Sequence, residues 1–420
     1  MNKHAAGSVE RARPANRPYP LPREGGGGNG GLPWLLVGTT VRALAQAAAR
    51  AGCQPCAIDG FADRDTQAAC AGRALRLPLR GFQPDWSRLE DAVREMRRRH
   101  APRAFAGAIV GSGLEANPAL LDLLAEHAPL ANAERDAVLT AATPARWFAL
   151  LEEIGAPHPK VSLRGTAPGP DWLVKRAGGS GGLHVRPWPP GLALEAGDYF
   201  QQHAPGRPAS VLFLAAGGEA HIVGWQHQLL APTAELPWRY GGVVCDDALP
   251  ARAKARIASI VDALAHRLPL RGLAGLDFLV EGETVQVLEL NPRPTASLAL
   301  YPSLHPFALH VEACRGRLPA APLAHGWRPC GEAVLYATAP LSLPANYDWP
   351  HNCADLPDGA AEFASGEPVC SVRASADSTR ALLGRLGLRL RRLSTSLKER
   401  HERHPEPQRA GGAAGRLVVC

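Results

Sequence analysis

From Trp34 onward the chain alternates short apolar runs with amphipathic stretches, and the period of each run predicts its element. "WLLVGTT" reads as a buried strand, "VRALAQAAARAG" as an Ala-rich helix closed by Gly52, and "PCAID" as a second strand. "AFAGAIVGSG" is a further buried strand that ends in glycines, before the helix "NPALLDLLAEHA". Strands that alternate with helices imply a parallel, doubly wound unit. Its ligand crevice should lie where Gly38-Thr39-Thr40, Asp59 and Gly111-Ser112-Gly113 end their strands.

The pattern changes at Thr143. "TPARWFALLEEIGAPHP" predicts a helix begun by Thr143 and Pro144 and stopped at Gly155. Strand–glycine loop–strand follows in "DWLVKRAGGSGGLHVRP", and then hairpin strands in "DYFQQHAPGRPASVLFLAA" and "EAHIVGWQHQLL". A basic amphipathic helix, "ARAKARIASIVDALAHRL", precedes two last strands in "GLDFLVEGETVQVLELNPRPT". The expected fold class is therefore α/β followed by α+β. A doubly wound unit spans residues 32–135, an α+β unit 136–325, and a small C-terminal unit 326–394 ends in the helix "STRALLGRLGL". Residues 1–31, rich in Pro and Gly, read as a disordered leader, and 395–420 as a basic disordered tail.

Composition narrows the class. The net charge of +7 concentrates in the two tails, which hold almost no aromatics to stack bases, so nucleic acid is not the expected partner. An anionic ligand such as a nucleotide fits the basic balance better. No apolar run reaches the roughly 18 residues needed to span a bilayer, and no signal-like core precedes Trp34. A cytoplasmic protein with reduced thiols is expected. Cys53 and Cys56 have redox or metal spacing, but Pro55 stands between them and a strand follows. They read as two small apolar residues.

Carboxylates inside apolar strands are expensive to desolvate, which makes Asp277 and Glu289 conspicuous. Glu289, Asn291 and Arg293 alternate, so an extended strand points all three to one face. The short turn "EGET" would place Asp277 beside Glu289. Two carboxylates and an amide at one spot suit Mg²⁺, with phosphate oxygens as further ligands. Arg293 could hold a phosphate or carboxylate in its planar fork. The same spacing is compatible with a salt-bridged edge strand whose acids face water. Lys175 ends an apolar strand before Gly178-Gly179-Ser180-Gly181-Gly182, a loop able to lay backbone N–H groups on phosphates. It lacks the Walker order, and no helix follows.

The order of strand–Lys–glycine loop, "YFQQHAPGRPASV", "GLDFL" and "LELNPRP" resembles the ATP-grasp superfamily, in particular its biotin-carboxylase-like carboligase branch. The resemblance spans about residues 32–394 and includes "ADLPDGAAEFASGEPVCSV" near the C-terminus. It implies a preATP-grasp unit, a two-lobed ATP-grasp unit and a small C-terminal domain, with Mg²⁺- or Mn²⁺-bound ATP between the lobes. Lys175 would match the phosphate-binding lysine, with the loop through His184 over the β- and γ-phosphates. Gln201 or Gln202 would lie at the hinge that reads adenine, and Arg239 would be a further phosphate contact. Asp277, Glu289 and Asn291 match the metal positions, and Arg293 the substrate-side arginine.

Two departures stand out. Pro144 occupies the place of a second nucleotide lysine, so Arg146 or nothing takes that role, and Ser297 replaces a glutamate that serves bicarbonate deprotonation in biotin carboxylase. The resemblance implies an ADP-forming ligase that activates a carboxylate and joins it to an amine, both small molecules, with glutamate or another amino acid added to a cofactor precursor as the typical pairing. A non-catalytic nucleotide sensor and a carboxylase-type enzyme are the competing readings. The substrate is expected near Thr39, Arg42, Asp59 and Glu115, and the oligomeric state stays open, a homodimer being common among relatives.

Overall fold

The structure is a computed structural model that describes residues 31–80, 83–101, 104–115, 117–165, 169–188, 194–245, 248–323 and 328–403. The expected leader, apart from Gly31, and the tail beyond residue 403 lie outside the described residues.

The first unit is a parallel sheet in the order Ala74–Arg76, Pro55–Asp59, Trp34–Gly38, Gly107–Val110. Its strands are continuous apolar runs because both faces are covered. Trp34 and Leu36 pack on the side of helix Arg42–Arg50, whereas Leu35 and Val37 pack with Leu89, Val93 and Met96 of helix Leu89–His100. The predicted doubly wound arrangement is thus present. Cys56 is buried in its strand, and Cys53 stays a separate free thiol.

Four short strands form a small antiparallel sheet in the order Val161–Ser162, Asp198–Gln202, Trp172–Arg176, Val185–Pro187. The largest sheet among the described residues has eight antiparallel strands, ordered Thr284–Asn291, Gly272–Glu281, Arg207–Ala216, Glu219–Leu230, Tyr240–Cys245, Cys330–Tyr336, Pro368–Ser375, Cys353–Ala354. Helix Ala251–Arg267 buries Ile257, Ile260, Val261 and Leu264 against one face of it.

The C-terminal region departs from its expected independence. Strand Tyr240–Cys245 pairs directly with Cys330–Tyr336 through Val243↔Glu332 and Val244↔Gly331, so the last unit continues the large sheet. A Cβ on Gly331 would lie 2.5 Å from a Val244 methyl, and the missing side chain lets the strands close. The terminal helix also runs past residue 394, from Thr379 to Arg403. Leu382, Leu386, Leu393 and Leu397 recur at helical spacing and are buried, which anchors the basic stretch expected to be disordered.

Two buried polar contacts weld the units. Arg42 Nε meets Asp355 Oδ1 at 2.5 Å and its Nη2 meets Glu332 Oε2 at 2.8 Å. His310 accepts the Leu273 N–H at Nδ1 (2.9 Å), and its Nε2 lies 2.7 Å from the Ala131 carbonyl. With Nδ1 accepting, the ring proton sits on Nε2 and is donated to Ala131.

Candidate active site

The site begins with a hairpin. Strand Gly272–Glu281 sends Leu276, Phe278 and Val280 into the core, which leaves Asp277 on the opposite face. Its partner sends Val285 and Val287 into the same core, so unbroken alternation would bury Glu289 beside them. A register shift intervenes: Phe278 pairs with Val287, but Asp277 pairs with Glu289, leaving Leu288 as the extra residue. After this bulge the core position is Leu290, and Glu289 and Asn291 share the face of Asp277. The indole N–H of buried Trp147 donates to the Leu288 carbonyl at 3.1 Å, satisfying the bulged residue.

Around this point the polar groups converge. Asn291 Nδ2 donates to Asp277 Oδ2 at 3.2 Å, and Arg293 Nη2 donates to Asn291 Oδ1 at 2.9 Å. Arg293 is buried, and its Nε forms an ion pair with Glu115 of the first unit, whose other oxygen accepts the Gly113 N–H. Lys175, only 5% exposed, brings Nζ within 3.9 Å of Glu289 Oε2. Burial works against its charge, but the Tyr199 hydroxyl and Glu289 outweigh it and hold the ammonium above its ordinary range. Burial and the facing Glu289 push Asp277 well above the carboxylate range. Burial also opposes ionisation of Glu289, yet Lys175 and His184 keep it low. Burial and mutual repulsion thus oppose both groups being charged at once, and a divalent cation between them would relieve that.

Tyr199 pairs with Lys175 and Gln201 with Leu173, so Lys175, Tyr199 and Gln201 share one face of the small sheet. Gln201 is buried, and its Nε2 has no partner among the described residues. Gln202 is half-buried and donates its backbone N–H to Lys160 at 2.8 Å. The glycine loop needs its glycines. A Cβ on Gly179 would fall 2.3 Å from the His184 ring, and one on Gly182, at φ +72, 1.9 Å from the Trp238 carbonyl. Gly178 and Gly181 also have positive φ, and Gly181 accepts the Tyr240 N–H at 2.9 Å, docking the loop on segment 238–240. His184 accepts no bond at Nδ1, and burial holds its imidazole down at about 4. Ser180 lies half-buried in the same loop and bonds His184 through its backbone.

Other expected residues have different occupations. Arg239 donates to the carbonyls of Ala231 (2.8 Å) and Gly366 (3.1 Å) and lies 3.7 Å over the Tyr336 ring, so it ties the loop to the C-terminal strands. Arg146 pairs with Asp136 at the surface and Pro144 opens its helix, so the second lysine's place is not refilled by Arg146 here. Arg42 belongs to the inter-unit ion cluster, and Asp59 accepts the N–H groups of Val41, Phe61 and Ala62. Thr39 packs against Gly113 with its hydroxyl unpartnered among the described residues. Ser297 bonds Thr295 at 2.7 Å. Sequence reasoning missed Tyr199, and also Gln228, whose side chain bonds Asp277. Their places depend on strand pairing, which no local spacing announces.

Among the described residues no three His, Cys, Asp or Glu side chains form a metal group. Two carboxylates suit a hard cation that also takes phosphate oxygens, and Asn291 would add its amide oxygen by turning it from Arg293 toward Asp277. Glu289, 35% exposed, leaves the set accessible from solvent.

Residues 146–297 match the family described as ATP-grasp domain. The chain carries an ATP-grasp domain. Solved structures share the wider fold. Biotin carboxylase from Campylobacter jejuni, in a β-γ-ATP complex, superposes with a TM-score of 0.62 at 13% identity, covering 84% of this chain and 90% of that one. The biotin carboxylase domain dimer of 2-oxoglutarate carboxylase from Hydrogenobacter thermophilus, with MgADP and bicarbonate, gives 0.62 at 13%, covering 84% and 88%. L-amino acid ligase from Bacillus licheniformis gives 0.57 at 13%, covering 87% and 97%. No curated protein matches. Among the described residues no helix is long and apolar enough to cross a membrane.

Proposed function

We propose that the protein is an ATP-dependent ligase that activates a small carboxylate as an acyl phosphate and joins it to an amine, releasing ADP and phosphate. The observation that carries this reading is the bulge-aligned Asp277–Glu289 pair with Asn291, set between Lys175 and Arg293. A surface ion pair would not need two carboxylates face to face. A divalent ion held there, Mg²⁺ or Mn²⁺, would supply charge neutralisation for the phosphate oxygens.

The remaining chemistry belongs to the chain. Gln201 offers an unpartnered buried amide N–H to the adenine, with Gln202 beside it. Lys175 and the N–H groups of the 178–182 loop hold phosphate oxygens, with His184 supporting the loop. The substrate carboxylate oxygen attacks the γ-phosphorus, the bond to the β,γ-bridging oxygen breaks, and ADP leaves. The amine nitrogen then attacks the acyl carbon, phosphate leaves, and the nitrogen loses a proton. Arg293, released from Glu115 by the incoming anion, is placed to steady the acyl phosphate. No protein nucleophile is needed, so the reaction is mainly positioning and electrostatics.

Trapping tests this without knowing the amine. Purified protein with Mg²⁺, ATP, pooled carboxylates and hydroxylamine should yield hydroxamate and ADP in equal amounts. AMP with pyrophosphate would mean adenylation and would refute the acyl-phosphate step. ATP binding without any turnover across the pools would favour a nucleotide sensor.

A further inference from the structure

We propose that the cavity between the first unit and the C-terminal strands binds the acceptor by a cationic group distant from its reacting amine, with Asp63 as the counter-charge. The proposal rests on the ligase reading above. The cavity holds about 660 Å³ and runs from Pro294 and Thr295, directly after Arg293, to Asp63 and Glu332. It therefore adjoins the reacting end of the site.

Asp63 is 4% exposed and uses only half of its carboxylate. Oδ1 accepts the Thr66 N–H at 2.7 Å and caps helix Arg64–Ala69, while Oδ2 is buried with no partner among the described residues. The acids around it are committed elsewhere. Asp59 holds three backbone N–H groups, Asp65 accepts those of Asp355 and Leu356 at 2.9 Å each, and Asp355 and Glu332 grip Arg42. Arg42 donates to Asp355, Gln46 and Glu332 and, among the described residues, not to the unpartnered oxygen of Asp63. Burial, followed by Asp65, Asp355 and Asp59, pushes Asp63 up to about 8. At neutral pH Asp63 therefore carries a proton in the empty cavity, and a cationic donor would take that proton's place and leave the carboxylate charged against it.

The rest of the wall selects in the same sense. Asp358, Glu362 and Glu367 add negative charge and outnumber Arg76, whose Nε donates to the Gly60 carbonyl at 3.2 Å, while Phe61, Leu79 and Phe363 supply an apolar middle. An anionic acceptor is disfavoured, and an aliphatic or aromatic body with a cationic end fits. The reacting nitrogen must be unprotonated to attack, so the group at Asp63 is a second ammonium or a guanidinium on the same molecule.

The test is calorimetric titration of the full chain with butane-1,4-diamine, its neutral isostere butane-1,4-diol, and succinate, at constant ionic strength. The diamine should bind at least about tenfold more tightly than the diol, and Asp63→Asn should remove about tenfold of that affinity. Asparagine also caps helices, so the variant keeps its local bond. Equal binding of diol or succinate, absence of diamine binding, or a diamine affinity unchanged in Asp63→Asn would overturn the proposal. Should the variant fail to fold, the wild-type comparison of diamine with diol decides alone. Mg²⁺–ATP binding, measured on the same samples, separates the two levels. Lost cation preference with Mg²⁺–ATP binding intact refutes this inference only. Absent Mg²⁺–ATP binding refutes the ligase reading and leaves the cation result standing.

Discussion

Lys175 approaches Glu289 whereas Arg293 bonds Asn291 and Glu115, and the two should fail in different ways when changed. Lys175 is buried, charged and 3.9 Å from Glu289, so Lys175→Met leaves the acids without their cation and the phosphates without a donor. A charge-assisted bond is worth about 1.5–3 kcal/mol, so ATP affinity should drop by about ten- to a hundredfold in equilibrium titration. Arg293 acts later, on the acyl phosphate. Arg293→Lys keeps the charge but loses the fork, and should lower kcat by about a hundredfold while ATP affinity moves less than about twofold. If both variants lost ATP binding equally, the division of labour described here would be wrong.

At the scale of elements the bulge decides whether there is a site at all. The residues Asp277, Glu289, Asn291 and Arg293 were legible in the sequence as an unusual set, but the register that aligns them was not. Alternation from Val285 and Val287 leads Glu289 into the core, and nothing in "VQVLELN" marks Leu288 as the extra residue. The cause lies some 140 residues away, where Trp147 satisfies the Leu288 carbonyl. Trp147→Phe keeps the aromatic bulk and removes that donor. It should cost about 1–3 kcal/mol in urea unfolding and raise the Mg²⁺ concentration needed for half-maximal ATP binding. Lost stability with an unchanged Mg²⁺ requirement would show that Trp147 only packs. Arg239 teaches the converse: its sequence context between lobes suggested a phosphate contact, whereas strand pairing gives it a carbonyl and ring environment.

In the whole molecule, local periodicity made the doubly wound unit and the hairpin sheet readable, because each strand and helix there carries its own apolar pattern. The joining of the last unit was not readable, since it depends on a glycine, Gly331, meeting a strand some 90 residues earlier. His310 is the other weld, and burial holds its ring down at about 4 against an ordinary value of 6.5. The unfolded chain takes up this proton as pH falls through about 6.5, but the folded chain does so only near 4. Stability present above pH 6.5 is therefore lost as pH falls toward 4, by about 3 kcal/mol from this group alone. Urea midpoints of His310→Gln should vary less over that window than those of the wild type, and an identical slope would exclude His310 as the cause.

The central claim, that Asp277, Glu289 and Asn291 hold the cation that brings ATP into register, is tested most directly by titrating ATP with and without Mg²⁺. Wild-type protein and the Asp277→Asn, Glu289→Gln double variant would be compared by calorimetry. Mg²⁺ should tighten ATP binding to the wild type at least about tenfold. The double variant should bind metal-free ATP through Lys175 and the glycine loop but gain nothing from Mg²⁺. A variant that keeps the full Mg²⁺ response, or a wild type with none, would contradict it.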